Sequence, residues 1–139
     1  MARNKSKKIA KHSEFEKQAR EFLSKKWNTD LAEREIQLNP YFEKSFDLVS
    51  SDHEFIGDAK YLKNIPTPAA KFSGLAEYVW LLEHVKAKHK FLVFGKDIEI
   101  PKRWLKSYGT LVKNIEFYFL KGKELKIYNK KEGEFVPDK

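Results

Sequence analysis

The segment FDLVSSDHEFIGDAKYL, residues 46–62, decides how the chain can fold. Two apolar runs with the character of β-strands flank the polar stretch SSDHE, and each run contains an acid, Asp47 in the first and Asp58 in the second. Side chains two residues apart in a strand project to the same side, so Asp58 and Lys60 share a face. Because burying charge in an apolar strand is costly, these residues require a chemical reason.

Antiparallel pairing of the two runs through the SSDHE turn places Asp47 near Asp58. Two carboxylates at that spacing are unfavourable unless a cation neutralises them, and a hard divalent ion such as Mg²⁺ prefers carboxylate oxygens. The neighbouring Lys60 can orient or help to deprotonate a water, or stabilise charge on a phosphate. The pattern therefore predicts a metal site made of two carboxylates with an adjacent lysine.

The flanking sequence predicts the element order α-β-β-β-α-β-α-β-β. This order indicates an α/β or α+β fold with a mixed central β-sheet flanked by helices. The predicted helices cover residues 13–28, 69–88 and 100–109, with Pro66 and Pro68 interrupting the chain before the second. The predicted strands cover residues 33–38, 45–49, 54–62, 90–94, 115–120 and 124–128, the last two as a hairpin.

Asp47 followed by Asp58-Ala59-Lys60 resembles the PD-(D/E)xK motif of the restriction-endonuclease-like nuclease superfamily. The order helix, three-stranded meander, helix, strand over residues 13–95 is similar to the core of that superfamily. Size, single-domain build and the Phe15-Glu16 pair in the first helix resemble the archaeal Holliday junction resolvase branch. One departure is Phe46, which stands where the motif has proline.

The resemblance implies a role for each motif residue. Asp47, Asp58 and the backbone carbonyl of Ala59 would hold Mg²⁺, with Mn²⁺ as a substitute, and Lys60 would position or activate the attacking water. Many members add a glutamate from the first helix. Glu16 is the expected one, because it flanks the apolar face of the helix, whereas Glu14 and Glu21 point away from it.

Structural alternatives exist for these residues. Glu16 also fits a capping box with Ser13. Asp47 also fits a turn-capping role, and Asp58 with Lys60 also fits a surface ion pair on an exposed edge strand. Asp52, His53 and Glu54 are interpreted as turn residues rather than metal ligands.

The chain carries 28 basic and 20 acidic residues, a formal net charge of +8. Residues 1–11 hold five of the basic residues and no acid, so the rest has 23 against 20, or +3. We expect a flexible basic arm over residues 1–12 and a single nuclease-like domain over residues 13–139. The predicted contacts to the nucleic-acid backbone are Lys5, Lys7, Lys8, Lys11, Lys63 and Lys71.

Composition excludes several classes of protein. The absence of cysteine excludes disulfides and thiolate metal sites, which suits a cytoplasmic setting. No apolar run reaches the length of a membrane span.

His84 and His89 lie among lysines. This pattern fits a helix C-terminus, where cations complement the helix dipole, and it fits a phosphate-binding basic patch equally well. The tryptophans, interpreted as core residues, are Trp27, Trp80 and Trp104.

The expected function is that of a Mg²⁺-dependent endonuclease acting on DNA, with RNA left open as a substrate and a homodimer left open as the assembly. One alternative is a non-catalytic nucleic-acid-binding module on the same fold. Another is a small interaction domain whose basic tail contacts RNA or ribosomes.

Overall fold

The computed structural model describes residues 2–63 and 69–138, and within these ranges the chain forms three α-helices, one short 3-10 helix and seven strands. The helices are α1 (Ala2–Lys26), α2 (Ala69–Glu83) and α3 (Glu99–Tyr108), and the 3-10 helix is Gly109–Leu111. The strands are β1 (Leu31–Asn39), β2 (Phe42–Ser50), β3 (Phe55–Leu62), β4 (His89–Lys96), β5 (Glu116–Lys121), β6 (Glu124–Asn129) and β7 (Glu134–Pro137).

The strands form one mixed sheet in the order β1-β2-β3-β4-β5-β6-β7. β3, β4 and β5 are parallel, and the other neighbours are antiparallel. The apolar residues Phe91–Phe94 of β4 are buried at the centre of this sheet, as their continuous run predicts. The predicted mixed α+β fold is thereby confirmed, and so is the predicted β5–β6 hairpin.

Helices cover both faces of the sheet and enclose two hydrophobic cores. Phe15, Ala19 and Leu23 of α1 recur at helical spacing and are buried against one face. Leu75, Val79 and Leu82 of α2 are buried against the other face, together with residues of α3. Residues of β3 therefore point alternately into the α1 core and into the α2 core, and residues of β2 do so except at an irregularity beside Asp47.

The first helix differs from its prediction. It begins at Ala2 rather than at Ser13, so the segment expected to be a flexible arm is helical. Ser13 consequently lies inside the helix and is not an N-cap. The side chains of residues 1–10, among them Lys5, Lys7 and Lys8, lie outside the described part of the structure, as do Pro66 and Pro68.

Three further differences concern the rest of the chain. Helix α2 ends at Glu83 rather than at residue 88, and β7 was not predicted. Trp80, predicted to be in the core, is 59% exposed, whereas Trp104 is buried.

The SSDHE segment is a turn as predicted. Asp52 Oδ1 accepts hydrogen bonds from Ser50 Oγ and from the backbone N–H of Glu54, and these bonds hold the turn together.

Candidate functional site

Strands β2 and β3 separate at Asp47 and Asp58. Their backbone register pairs Leu48 with Gly57 and Val49 with Ile56. Next to these pairs, the N–H of Asp47 donates to Asp58 Oδ1 at 2.8 Å, and the N–H of Ala59 donates to Asp47 Oδ2 at 3.1 Å. Each carboxylate thus satisfies a backbone donor of the opposite strand. We call this arrangement the fork.

A β-bulge in β2 sets the direction of Asp47. β1 pairs Ala32 with Val49 and Arg34 with Phe46, so three steps along β2 oppose two steps along β1. Phe46 and Val49 consequently both lie in the α2 core, although strict alternation would separate them. The extra residue leaves Asp47 on the side of α1.

Asp58 and Lys60 lie on the α2 side of the fork. Lys60 Nζ is 3.7 Å from Asp58 Oδ2, as expected for residues that share a face. Lys44 Nζ, from β2, is 3.5 Å from the same oxygen. The residue Asp58 is 1% exposed and β3 is an internal strand, so the interpretation as a surface ion pair on an edge strand is wrong.

The buried position perturbs the acidity of Asp58. Burial raises the pKa of Asp58 to about 6, against an ordinary value of about 3.9. Lys60 and Lys44 oppose this rise because they favour the charged form, whereas the nearby Asp47 adds to it. The carboxyl group therefore titrates near pH 6, well above the range of an exposed aspartate.

A group of three acids lies on the α1 side of the fork. Glu16, Glu33 and Asp47 each offer a carboxylate oxygen, and these oxygens lie within 4.8 Å of one another. Glu16 Oε1 contacts His12 Nδ1 at 2.7 Å, and Glu33 Oε1 accepts a hydrogen bond from Ser45 Oγ at 3.0 Å. This donor set consists of carboxylate oxygens, which suit hard divalent cations such as Mg²⁺ and Mn²⁺.

The structure brings together most of the residues that the sequence singled out. Glu16 approaches Asp47 as predicted, and its interpretation as a capping partner of Ser13 is wrong because Ser13 is inside α1. Asp58 stands beside Asp47, but within the described residues it does not belong to the three-acid group and contacts lysines instead. The metal-ligand roles of Asp58 and of the Ala59 carbonyl remain predictions.

Sequence reasoning missed two residues of the site, Glu33 and Lys44. Both reach it through the β1–β2 hairpin, whose register pairs Glu35 with Ser45 and Ile36 with Lys44. The register of a hairpin can be counted from its turn, but the bulge makes such counting fail near Asp47.

Arg20 adds a guanidinium group to the α1 side. Its Nη2 donates to the backbone carbonyl of Asp47 at 3.4 Å. Its Nε is buried and has no hydrogen-bond partner among the described residues. A buried N–H group normally has a hydrogen-bond acceptor, so the Nε–H group of Arg20 can donate one further hydrogen bond beside the acids.

The predicted nucleic-acid contacts are only partly described. Lys11 and Lys63 are exposed, and Lys71 Nζ donates to the carbonyl of Lys63 at 2.7 Å. Lys11 borders a shallow depression along α1 that Lys17 and Tyr61 also line. These positions leave the predicted contacts to nucleic acid untested.

Comparison with known proteins gives no relative: no protein-family model, curated protein or solved structure matches this chain. Among the helices of the described residues, none is both long enough and apolar enough to cross a membrane.

Proposed function

We propose that this protein is a Mg²⁺-dependent endonuclease of the PD-(D/E)xK type that hydrolyses phosphodiester bonds in DNA. One observation carries the proposal: the fork joins Asp47 to Asp58 where β2 and β3 separate, and the ammonium group of Lys60 lies 3.7 Å from Asp58 Oδ2. A lysine and two carboxylates at one opening of a sheet can hold a divalent cation, a water and a phosphate together.

The element order gives further support. Helix α1, the antiparallel strands β1 to β3, helix α2 and the parallel strand β4 follow one another as in the restriction-endonuclease-like core that the motif resembles. The fork lies where the motif of that core would lie, on the second and third strands. The pattern of acids and lysine and the succession of elements thus favour the same interpretation.

The residues around the fork fit a Mg²⁺ or Mn²⁺ ion. Asp47, Glu16 and Glu33 would hold it on the α1 side, and Asp58 with the carbonyl of Ala59 would complete the site from β3. When bound, such an ion neutralises the carboxylates, polarises a phosphate and lowers the pKa of a water. Asp58 would then exchange at least part of its contact with Lys44 and Lys60 for the ion.

Lys60 and Lys44 would supply positive charge for a bound phosphate. Lys60 lies between Asp58 and the ring of Tyr78, so its ammonium group is held in place to orient a water or to offset phosphate charge. Lys44, once displaced from Asp58, supplies a second cation for a phosphate oxygen. Burial raises the pKa of Asp58 to about 6, so this carboxyl group would contribute to the pH dependence of the site.

A plasmid-nicking assay tests the proposal. Supercoiled DNA is incubated with the protein in Mg²⁺, Mn²⁺, Ca²⁺ or EDTA, and conversion to nicked and linear forms is followed on gels. We expect cutting in Mg²⁺ and Mn²⁺ that Asp47→Asn, Asp58→Asn and Lys60→Met abolish. Glu124→Gln, which removes an exposed carboxylate from β6, serves as the control and should cut like the unaltered protein. Cutting that survives Asp58→Asn or Lys60→Met refutes the assignment.

A non-catalytic nucleic-acid-binding module is the second candidate. The observation in its favour is that Lys44 and Lys60 already compensate the charge of Asp58 without a metal. The same assay separates the two candidates, because such a module retains DNA in gel shifts yet leaves the plasmid intact in every metal.

A further inference from the structure

An aromatic cavity of about 260 Å³ lies at the beginnings of β3, β4 and β5. The strand register explains the grouping, since Phe55 of β3 is level with His89 of β4, and Phe91 of β4 is level with Glu116 of β5. Two buried rings belong to its lining, Phe91 and Tyr118. Its volume is below the range of about 300–1,000 Å³ for drug-sized ligands, so it suits one planar ring system.

Three rings of this cavity form a stack that ends at the surface. Trp27 lies on Phe55 with centroids 5.4 Å apart and planes at 25°, and Phe55 lies on His89 at 4.5 Å and 20°. His89 is exposed, so the stack finishes in an accessible imidazole. Aromatic faces presented in this way are the platforms on which unpaired nucleic-acid bases stack.

Glu116 places a hydrogen-bond acceptor beside the rings. Its Oε2 accepts the hydroxyl of Tyr118 at 3.1 Å, and burial together with Glu116 raises the pKa of Tyr118, which keeps that hydroxyl a donor. Within the described residues Oε1 of Glu116 has no hydrogen bond, and the residue is exposed. An acceptor in this position matches the exocyclic amine of cytosine or adenine.

A second cavity of about 580 Å³ adjoins the first and shares His89 and Glu116 with it. Its lining adds Lys86, Lys88 and Lys90. Lys88 pairs with the half-buried Glu54 at 3.1 Å, and Lys90 Nζ donates to the carbonyl of Glu83 at 3.2 Å. These cations lie near the surface, where phosphate oxygens can compete for them.

We infer that the two cavities form a binding site for one unpaired nucleotide of a single strand, with the base against the rings and Glu116 and the phosphate against the lysines. An aromatic cavity with a carboxylate also resembles a cage for organic cations. The three neighbouring lysines decide against a cation, because they repel it and attract a phosphate.

The inferred nucleotide site is separate from the fork. Phe55 and Asp58 are both on β3, roughly 10 Å apart at 3.3 Å per residue, and no acid of the fork lines either cavity among the described residues. The inference does not rest on cleavage, and binding can be measured in EDTA, where the proposed nuclease is inactive.

Binding of labelled ten-nucleotide strands in EDTA tests the role of Glu116. Fluorescence anisotropy should show that oligo(dC) binds more tightly than oligo(dT), which lacks an exocyclic amine. Glu116→Ala removes the acceptor and should reduce this preference, whereas Glu124→Ala, the matched loss of an exposed carboxylate on the neighbouring strand, should leave it unchanged. Equal binding of dC and dT, or a preference that survives Glu116→Ala, overturns the assignment of Glu116.

The stacking role has its own test. Oligo(dC) should quench the fluorescence of Trp27, so the quenching should be lost in Trp27→Phe and should persist in Trp80→Phe, which removes an exposed tryptophan elsewhere. His89→Ala should weaken binding about fivefold or more, the effect of losing one stacking partner. Lys86→Ala should lower the salt dependence by about 0.7 in the logarithmic slope if it meets one phosphate.

Two outcomes contradict the inference as a whole. One is unaltered affinity for oligo(dC) in His89→Ala. The other is saturable quenching of Trp27 by choline with none by oligo(dC), since it identifies the cavity as a cation cage.

Discussion

The ammonium group of Lys60 lies 3.3 Å from the centroid of the Tyr78 ring. Lys60 is on β3 and Tyr78 is on α2, so a side chain of the helix contacts the lysine that lies beside Asp58. Asp58 holds the same ammonium group from the side of the strand. The position of Lys60 is thus fixed by one charge and one aromatic face.

Replacing Tyr78 should therefore affect the proposed DNA cleavage more than folding. A cation–π contact is worth about 0.5–2 kcal/mol, so Tyr78→Leu should slow plasmid nicking by roughly 2- to 30-fold. Tyr78→Phe retains the aromatic face and should stay within about threefold of the unaltered protein. Nicking rates measured beside thermal unfolding of each variant check this, and equal rates for Leu and Phe would show that the ring is dispensable.

The raised pKa of Asp58 predicts a pH-dependent stability. Between about pH 4 and pH 6 the folded protein keeps a proton that the unfolded chain has already lost, so the folded state binds more protons. The free energy of unfolding contributed by this group accordingly falls as the pH rises through that window. The whole change is about 3 kcal/mol for a pKa that rises from about 3.9 to about 6.

Urea unfolding in EDTA at pH 4.5 and pH 7 measures this effect. Asp58→Asn should flatten the dependence, because the amide does not titrate. Asp30→Asn is the control: hydrogen bonds from Ser51 lower the pKa of Asp30, so its titration lies below this window. A slope that is the same in Asp58→Asn and in the unaltered protein would assign the titration to another group.

The three-acid group predicts a divalent-cation affinity that depends on Glu33. Glu33→Gln removes one of the clustered carboxylates and should weaken Mn²⁺ binding by about tenfold, the equivalent of roughly 1.4 kcal/mol. Glu35→Gln alters the same strand two residues away and should have little effect, because Glu35 is not in the group. Calorimetric titration measures both variants, and equal affinities would remove Glu33 from the site.

Gly57 should tolerate no side chain. A Cβ there would lie 2.5 Å from the carbonyl oxygen of Phe91, which belongs to the backbone of the adjacent strand and has little room to move. Gly57→Ala should destabilise the protein by about 1–3 kcal/mol or more. Gly74→Ala, in α2 with nothing near the new methyl group, should instead stabilise it by about 0.5–1 kcal/mol. Urea unfolding of both variants checks the contrast.

Local patterns predicted the parts of the site that lie close in sequence. Asp47, Asp58 and Lys60 were located because a short turn joins their strands and because side chains alternate along a strand. The buried strand β4 followed from its continuous apolar run. These features depend on neighbours along the chain, which a single sequence displays directly.

The rest depends on long-range register and on packing. Glu33 and Lys44 enter the site through a bulged hairpin, and no local pattern marks where an extra residue falls. Trp80 has the spacing of a core residue, yet α2 turns it outward. The basic residues before Ser13 lack an apolar stripe, so their continuation of α1 had no periodic signal.

A β-sheet normally separates the two layers that pack on its faces, but at the fork the strands part and the two layers meet. Asp47 reaches this gap from the layer of α1, whereas Asp58 and Lys60 reach it from the layer of α2. A phosphate ester held there would touch both layers at once. Loosening the packing beneath either helix would therefore disturb the same position, so remote core substitutions on opposite sides of the sheet should both impair the proposed phosphodiester cleavage.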